Sequence, residues 1–407
     1  MKKKLLAAAV VTAFAAPSAF AQTAPTNVTI YGNLQAEILN VKAEDATAGA
    51  PNNNVPSRMR IGSPGVFNIG FRGTERLGGN LSVIWQVEQN VGSGDGTGTS
   101  NSWGSRNTFV GLQSGLGQVF LGNFDSPLKL VLGINNFAFG LTASGGINPF
   151  LNNGDTSSDA PNSNSTSPDV AFSRRVNNSL NYASPMFSGF QVRAQYAANE
   201  AKSTTTGPGF QNNPYLYGAS ATWTGGPFRA GVGYQKHVGF RMNALTGAEM
   251  DDSSWLVSGS WTSGPFLATA AYSRLNYGSR DGDITRNNWL VSGQYSLGQH
   301  RFRAQYQEAL DAGGPNTFTA ANLGVQVNGV AVTSLGGIRA TGGQTGATQW
   351  NLGYGYALSK RTEAYAFYSV LDNDNNARLN YAGGHAGVIN ANGQKATAFG
   401  LGMLHRF

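Results

Sequence analysis

The chain has 407 residues, a formal charge of +7, 12% charged and 11% aromatic residues, 55 glycines and no cysteine. So thin a positive excess does not suggest a nucleic-acid partner, and without cysteine no disulfide framework can hold the fold. No apolar run of about 18 residues follows the first 21 positions, which excludes a helical membrane protein but not a barrel, whose strands alternate in polarity.

The N-terminus reads as an address. Lys2, Lys3 and Lys4 precede a short apolar stretch, Leu5 to Phe14, and Ala19-Phe20-Ala21 offers small residues around a cleavage point. This is a secretory signal pattern, cut after Ala21 and taking the three lysines with it. Residues 22–407 then form one domain, with no linker-like break.

Along that domain the apolar period is two. Leu81, Val83, Trp85 and Val87 alternate with Ser82, Ile84, Gln86 and Glu88; Phe190, Val192, Ala194 and Tyr196 alternate with Gln191, Arg193, Gln195 and Ala197. Trp289 to Leu297, Phe302 to Tyr306 and Trp350 to Leu358 repeat the pattern. Strands are expected near 27–41, 58–75, 80–91, 105–114, 117–125, 174–185, 189–200, 214–225, 227–239, 252–263, 265–278, 285–297, 299–311, 346–359, 361–373 and 395–407. A soluble β-sandwich would alternate in the same way. The connections separate the two readings. Tight turns such as Leu77-Gly78-Gly79-Asn80 and Thr262-Ser263-Gly264-Pro265 take turns with long polar stretches such as 42–57, 92–104, 200–213, 239–252, 311–345 and 373–395. A transmembrane antiparallel β-barrel of sixteen strands needs that strict alternation; a sandwich does not.

Leu128 to Leu151 breaks the pattern. It is apolar and rich in Gly and Asn, with Lys129 its only charge. Exposed to water it would be an unusual apolar patch; folded into the barrel it has a wall to pack on. The third loop, 126–173, is therefore expected to turn inward as a constriction. Tyr182, Tyr215, Trp223, Trp255, Trp261 and Tyr277 fall near strand ends, where amphipathic rings would mark a lipid–water boundary. The last strand carries Phe399, Leu401, Met403, His405 and Phe407 on one face. It must pair with the first strand so that no edge meets lipid.

Motifs for chemistry are weak. His237, His300, His385 and His405 have no metal-ligand spacing. Gly92 to Gly98 lacks the lysine of a phosphate loop. Asp281-Gly282-Asp283 and Asp372 to Asn376 resemble calcium-loop fragments without the final acidic ligand. No cofactor or metal is implied. Parity does offer a pore wall: Arg72, Arg106, Arg175, Arg193, Arg229, Arg301, Arg303 and Arg406 are expected inward, against Glu37 and Glu88.

Val28 to Gly32, Ile69 to Glu75, Arg106 to Leu112, Leu121-Gly122-Asn123-Phe124-Asp125, Asn178 to Tyr182 and His405-Arg406-Phe407 recur in order across the mature chain. In them the sequence resembles the Gram-negative general porins, of the trimeric kind common in β-proteobacteria. The resemblance implies a homotrimer of sixteen-stranded barrels in the outer membrane, among lipid and lipopolysaccharide. It implies passage for small solutes and inorganic ions, and Phe407 as part of the signal read by the barrel assembly machinery. Arg106 matches a constriction arginine of the family. Wall positions often basic there are Asn33, Asn68 and Asn177 here, and the third loop lacks the early acidic pair, since Asp155, Asp159 and Asp169 come late. The expected pore-lining set is Arg106, Arg175, Arg72, Asn68, Asn33, Asn177, Asp125, Glu37 and Glu88. Moderate anion preference follows, led by Arg106 and then Arg175. Two other classes compete: a barrel enzyme such as an outer-membrane protease or lipase, and a soluble secreted β-protein or adhesin. A substrate-specific channel is a further variant of the porin reading.

Overall fold

The computed structural model describes residues 27–47, 53–63, 67–91, 103–135, 172–198, 214–243, 246–315, 325–327, 330–331, 338, 341–381 and 387–407. The signal segment and most of the third loop lie outside the described residues. The strands are β1 (Asn27–Glu44), β2 (Val55–Gly62), β3 (Asn68–Gly78), β4 (Leu81–Asn90), β5 (Thr108–Ser114), β6 (Gly117–Asp125), β7 (Arg175–Ala183), β8 (Phe190–Ala198), β9 (Tyr215–Gly225) and β10 (Phe228–Asn243). They continue as β11 (Glu249–Ser263), β12 (Phe266–Tyr277), β13 (Ile284–Leu297), β14 (His300–Ala309), β15 (Val325–Val327), β16 (Val330–Ala331), β17 (Ala347–Ala357), β18 (Thr362–Asn373) and β19 (Lys395–Arg406). Among the described residues no helix is long and apolar enough to cross a membrane.

Every strand pairing is antiparallel, and the sheet closes on itself. β1 pairs with β19 from Asn33↔Arg406 to Glu44↔Lys395. On its other edge β1 pairs with both β2 and β3, through Glu37 to Ala43 and through Asn27 to Asn33 respectively. β2 and β3 are thus one interrupted strand, where the sequence reading expected a continuous one over 58–75. β2 ends at Gly62 and β3 begins at Asn68; the sequence between them includes Pro64, and proline has no N–H to give to a ladder. With β2 and β3 counted together and the short β15–β16 hairpin set aside, sixteen strands surround the lumen. That hairpin was not expected from sequence. It belongs to the long connection between β14 and β17, yet β15 adds to the tip of β10, at Met242↔Gln326 and Asn243↔Val325.

The two faces differ as the alternation requires. Val28, Ile30, Val110, Leu121, Val192, Val257 and Leu401 are exposed on the outward face, where lipid replaces water as solvent. Outward rings form two rows. Phe190–Trp223, Phe266–Tyr295 and Phe302–Tyr354 sit near the short turns, with centroids 6.2, 5.0 and 5.5 Å apart. Towards the long loops a run passes Tyr196, Tyr215, Tyr217, Tyr234 and Trp255 in steps of 4.6 to 6.4 Å. Tyr277 is the exception among the expected boundary rings. It is fully buried on the inner side, 5.6 Å from Phe172.

The short turns are built on left-handed glycine. Gly226, Gly264 and Gly298 open two-residue hairpins at φ of 53°, 53° and 58°, a conformation that costs side-chain-bearing residues energy and matches the twist of paired strands.

Candidate pore lining

The third loop begins inside the barrel. Ser126 caps a short helix, α1 (Pro127–Leu132), by accepting from Lys129 N. Leu128, Val131, Leu132 and Ile134 are buried in one cluster with Leu256, Leu275 and Leu290, which β11, β12 and β13 present inward. Each such side chain contributes about 2 kcal/mol by leaving water. Backbone room is made by glycine. A Cβ on Gly233 would stand 2.9 Å from Leu128 Cα, and one on Gly231 would stand 2.9 Å from Ile134 Cδ1. Asn135 adds a hydrogen bond from Nδ2 to Ser258 Oγ at 2.8 Å.

Facing α1 across β1 to β7 runs a continuous polar strip. Asn33 Nδ2 donates to Asn68 Oδ1 at 3.1 Å, and Asn68 Nδ2 donates to Glu88 Oε1 at 3.1 Å. Tyr31 donates its hydroxyl to Glu88 Oε2 at 2.9 Å, and the Arg72 guanidinium lies 5.2 Å over the Tyr31 ring. Arg106 Nε donates to Glu88 Oε1, and its Nη1 donates to Asn90 Oδ1 at 3.1 Å. The strip continues at Asn107, whose Nδ2 donates to Asp125 Oδ2 at 3.0 Å while its Oδ1 accepts from Arg175 Nε at 2.8 Å. Asp125 is also paired with Arg175 Nη2 at 3.1 Å and with Lys129 Nζ of the loop helix at 3.0 Å. Asn33, Asn68, Glu88, Arg106, Arg175 and Asp125 therefore meet in one network, with Arg72 beside it.

Glu37 lies apart from that strip. It is buried and accepts from the Tyr365 hydroxyl at 2.7 Å, and Gln35 Nε2 donates to the same hydroxyl at 2.7 Å. Asn177 is not in the strip either. The ladder slips between Gly122 and Phe124, and Asn178 takes a φ of 50°. At this bulge Asn177 shares a recess with Trp103, Leu121 and Asn123, and Leu121 belongs to the outward face.

Parity also gives the wrong reason for Arg106. Val110 is outward, so unbroken alternation would turn Arg106 outward too. β5 starts only at Thr108, and the bend at 105–107 lets Arg106 reach back to Glu88. The count of inward charges changes as well. Asp125 and Glu363 stand with Glu37 and Glu88, and Glu363 binds both Arg301 and Arg303, the latter at 2.6 Å. Glu363 shares the odd parity of the inward Tyr365 and Phe367 and could have been found that way. Tyr31, Asn107 and Lys129 carried no sequence signal for their roles, because their partners come from other strands.

A profile of Gram-negative porins matches residues 7–376. The chain belongs to that family. It is 34% identical over 201 residues to the major outer membrane protein P.IB of Neisseria sicca, covering 48% of this chain and 47% of that one. It is 31% identical over 261 residues to the protein of the same name from Neisseria meningitidis serogroup B, covering 64% and 66%. The matched stretches thus span about half to two thirds of these relatives. The anion-selective porin from Comamonas acidovorans has the same fold, with a TM-score of 0.70, 23% identity and coverage of 94% of this chain and 100% of that chain. OmpT of Vibrio cholerae shares it more distantly, at TM-score 0.60 and 16% identity over 95% and 99%. Family and barrel place the protein in the Gram-negative outer membrane.

Proposed function

We propose that the protein is a passive diffusion channel for small hydrophilic solutes and inorganic ions, with moderate preference for anions. The observation that carries the reading is a closed sixteen-stranded barrel whose outward face is apolar and whose inner face carries arginines, carboxylates and amides. A barrel of that strand number leaves an aqueous lumen. The root of the third loop packs on the inner wall, which supports 126–173 as the constriction, bounded on one side by Asn33, Asn68, Glu88, Arg106, Asp125 and Arg175. The Comamonas acidovorans neighbour is an anion-selective porin, which favours the same sign of preference.

The channel works as a homotrimer after export and cleavage behind Ala21. One structural neighbour is a trimer form, and the outward face of β1 to β3 offers aliphatic Val28, Ile30, Ile38, Met59 and Ile61 where rings are otherwise frequent. Outer-membrane lipid and lipopolysaccharide surround it, and the barrel assembly machinery reads the last strand and Phe407. Planar-bilayer recording tests the channel reading. Discrete conductance steps, with solute flux proportional to concentration, are expected. Saturating flux would point instead to a substrate-specific channel, and no steps at all would refute the reading.

A further inference from the structure

We propose that ion preference is set by arginines of the periplasmic vestibule rather than by the polar strip at mid-barrel; this rests on the channel reading above and adds the residues that bias it. The charges of the strip are held in ion pairs. Arg106 is bound by Glu88, and Arg175 and Lys129 are bound by Asp125, while Glu37 lies apart on Tyr365. The rest of the third loop, 136–171, contributes Asp155, Asp159 and Asp169 to the sequence and no Lys or Arg. Among the described residues at the loop root, Arg241 is likewise paired, with Asp252, and Arg174 is buried against the Phe240 ring.

The short-turn end, which is periplasmic in this family's orientation, is different. Arg229 and Arg301 are the second residues of β10 and β14, and Arg406 is the last of β19, opposite Asn33 of the strip and next to Arg361 of the last short turn. Arg193 and Arg303 stand just above, and Arg72 lies one step below the Glu88 pair. All six have inward parity. Against them, among the described residues, the inner face of that end presents Glu363 alone, since Glu75 pairs with outward Val83. Glu363 is already committed to Arg301 and Arg303, and Arg406 lies within electrostatic reach of the same three groups. Arg229 is exposed and Arg193, half-buried, bonds Gln191; neither has an ion pair among the described residues. Fixed charge beside a low-dielectric wall concentrates counter-ions, over a screening length of about 10 Å at 0.1 M salt and about 3 Å at 1 M. The vestibule therefore draws anions, and a centre whose charges are ion-paired adds less.

Two comparisons test this with the full mature channel in a planar bilayer under a KCl gradient. First, Arg229→Gln with Arg193→Gln should lower the chloride-to-potassium permeability ratio by roughly twofold. Glu88→Gln with Arg106→Gln should lower it less, because that pair is removed as a neutral unit. An unchanged ratio in the first variant, or an equal fall in the second, overturns the proposal. Second, the unmodified protein inserted in one orientation should be more anion-selective when the dilute solution bathes its periplasmic side, where screening is then weakest. Equal selectivity either way, the reverse order, or cation preference overturns it without needing any variant. Absence of conductance steps in the unmodified protein would instead refute the channel reading itself.

Discussion

Glu363 illustrates how one carboxylate alters a charge count. It holds Arg301 and Arg303 together on the inner wall, its own side chain only 9% exposed. Counting arginines by parity without it overstates the positive field. Glu363→Gln removes the negative charge and leaves both guanidiniums facing the lumen, where water can solvate them. Anion preference should rise, by roughly twofold in permeability ratio at 0.1 M salt, and the gain should fade near 1 M as screening shortens. Reversal potentials at the two salt levels check it; a fall in preference would show that Glu363 does not face the conduction path. Arg106→Glu is a different perturbation. It sets a second carboxylate against Glu88, which the strip otherwise satisfies from Tyr31, Asn68 and Gln86. Anion preference should drop, because the local charge changes by two units whichever region normally dominates.

At the scale of elements, the decisive contact is α1 against the inner wall of β9 to β12. The helix is short and its position comes from packing on glycine, not from its own propensity. Gly233→Leu forces a side chain into the space of Leu128, whose Cα already lies within 2.9 Å of a built Cβ. Overpacking of this kind costs about 1–3 kcal/mol. The barrel, held by its continuous ladder, should survive, and the loop root should detach. Single-channel conductance should increase with noisier open levels, and protease should cut the loop faster in intact vesicles. Unaltered conductance and unaltered cleavage would show that the root of the loop does not control the opening.

Closure is a property of the whole molecule. β19 and β1 seal the seam, and at its end Phe407 and Gly32 exchange backbone hydrogen bonds of 3.1 and 3.2 Å. The Phe407 ring lies where a Cβ on Gly32 would be, 2.6 Å from it. Deleting Phe407 removes both bonds and the ring at the point where an open edge would meet lipid. Insertion should be impaired, seen as less heat-modifiable oligomer in the outer-membrane fraction, while those channels that do form keep the unmodified reversal potential. Normal surface assembly of the truncated chain would count against a role for Phe407. The aliphatic face at β1 predicts a further result. Ile38→Lys should weaken the oligomer on unheated gels, since a charge there would be buried against a neighbouring barrel or held in lipid at a cost of about 2–4 kcal/mol near mid-bilayer.

Residue order alone determined the period-two pattern, the alternation of short and long connections and hence the sixteen-stranded barrel, because side-chain direction in a strand is local. It also identified the apolar third-loop segment as something needing cover. Wherever the ladder is irregular, local reasoning failed. The break at 63–67 split one strand, the bulge opposite Asn123 moved Asn177 out of the strip, and the bend before β5 turned Arg106 inward against its parity. The balance of the lumen was also out of reach. Which arginines keep an unopposed charge depends on carboxylates from strands far away in sequence, Glu88 for Arg106 and Glu363 for Arg301. Electrostatic fields add in space, so only the closed barrel could decide where the positive excess lies.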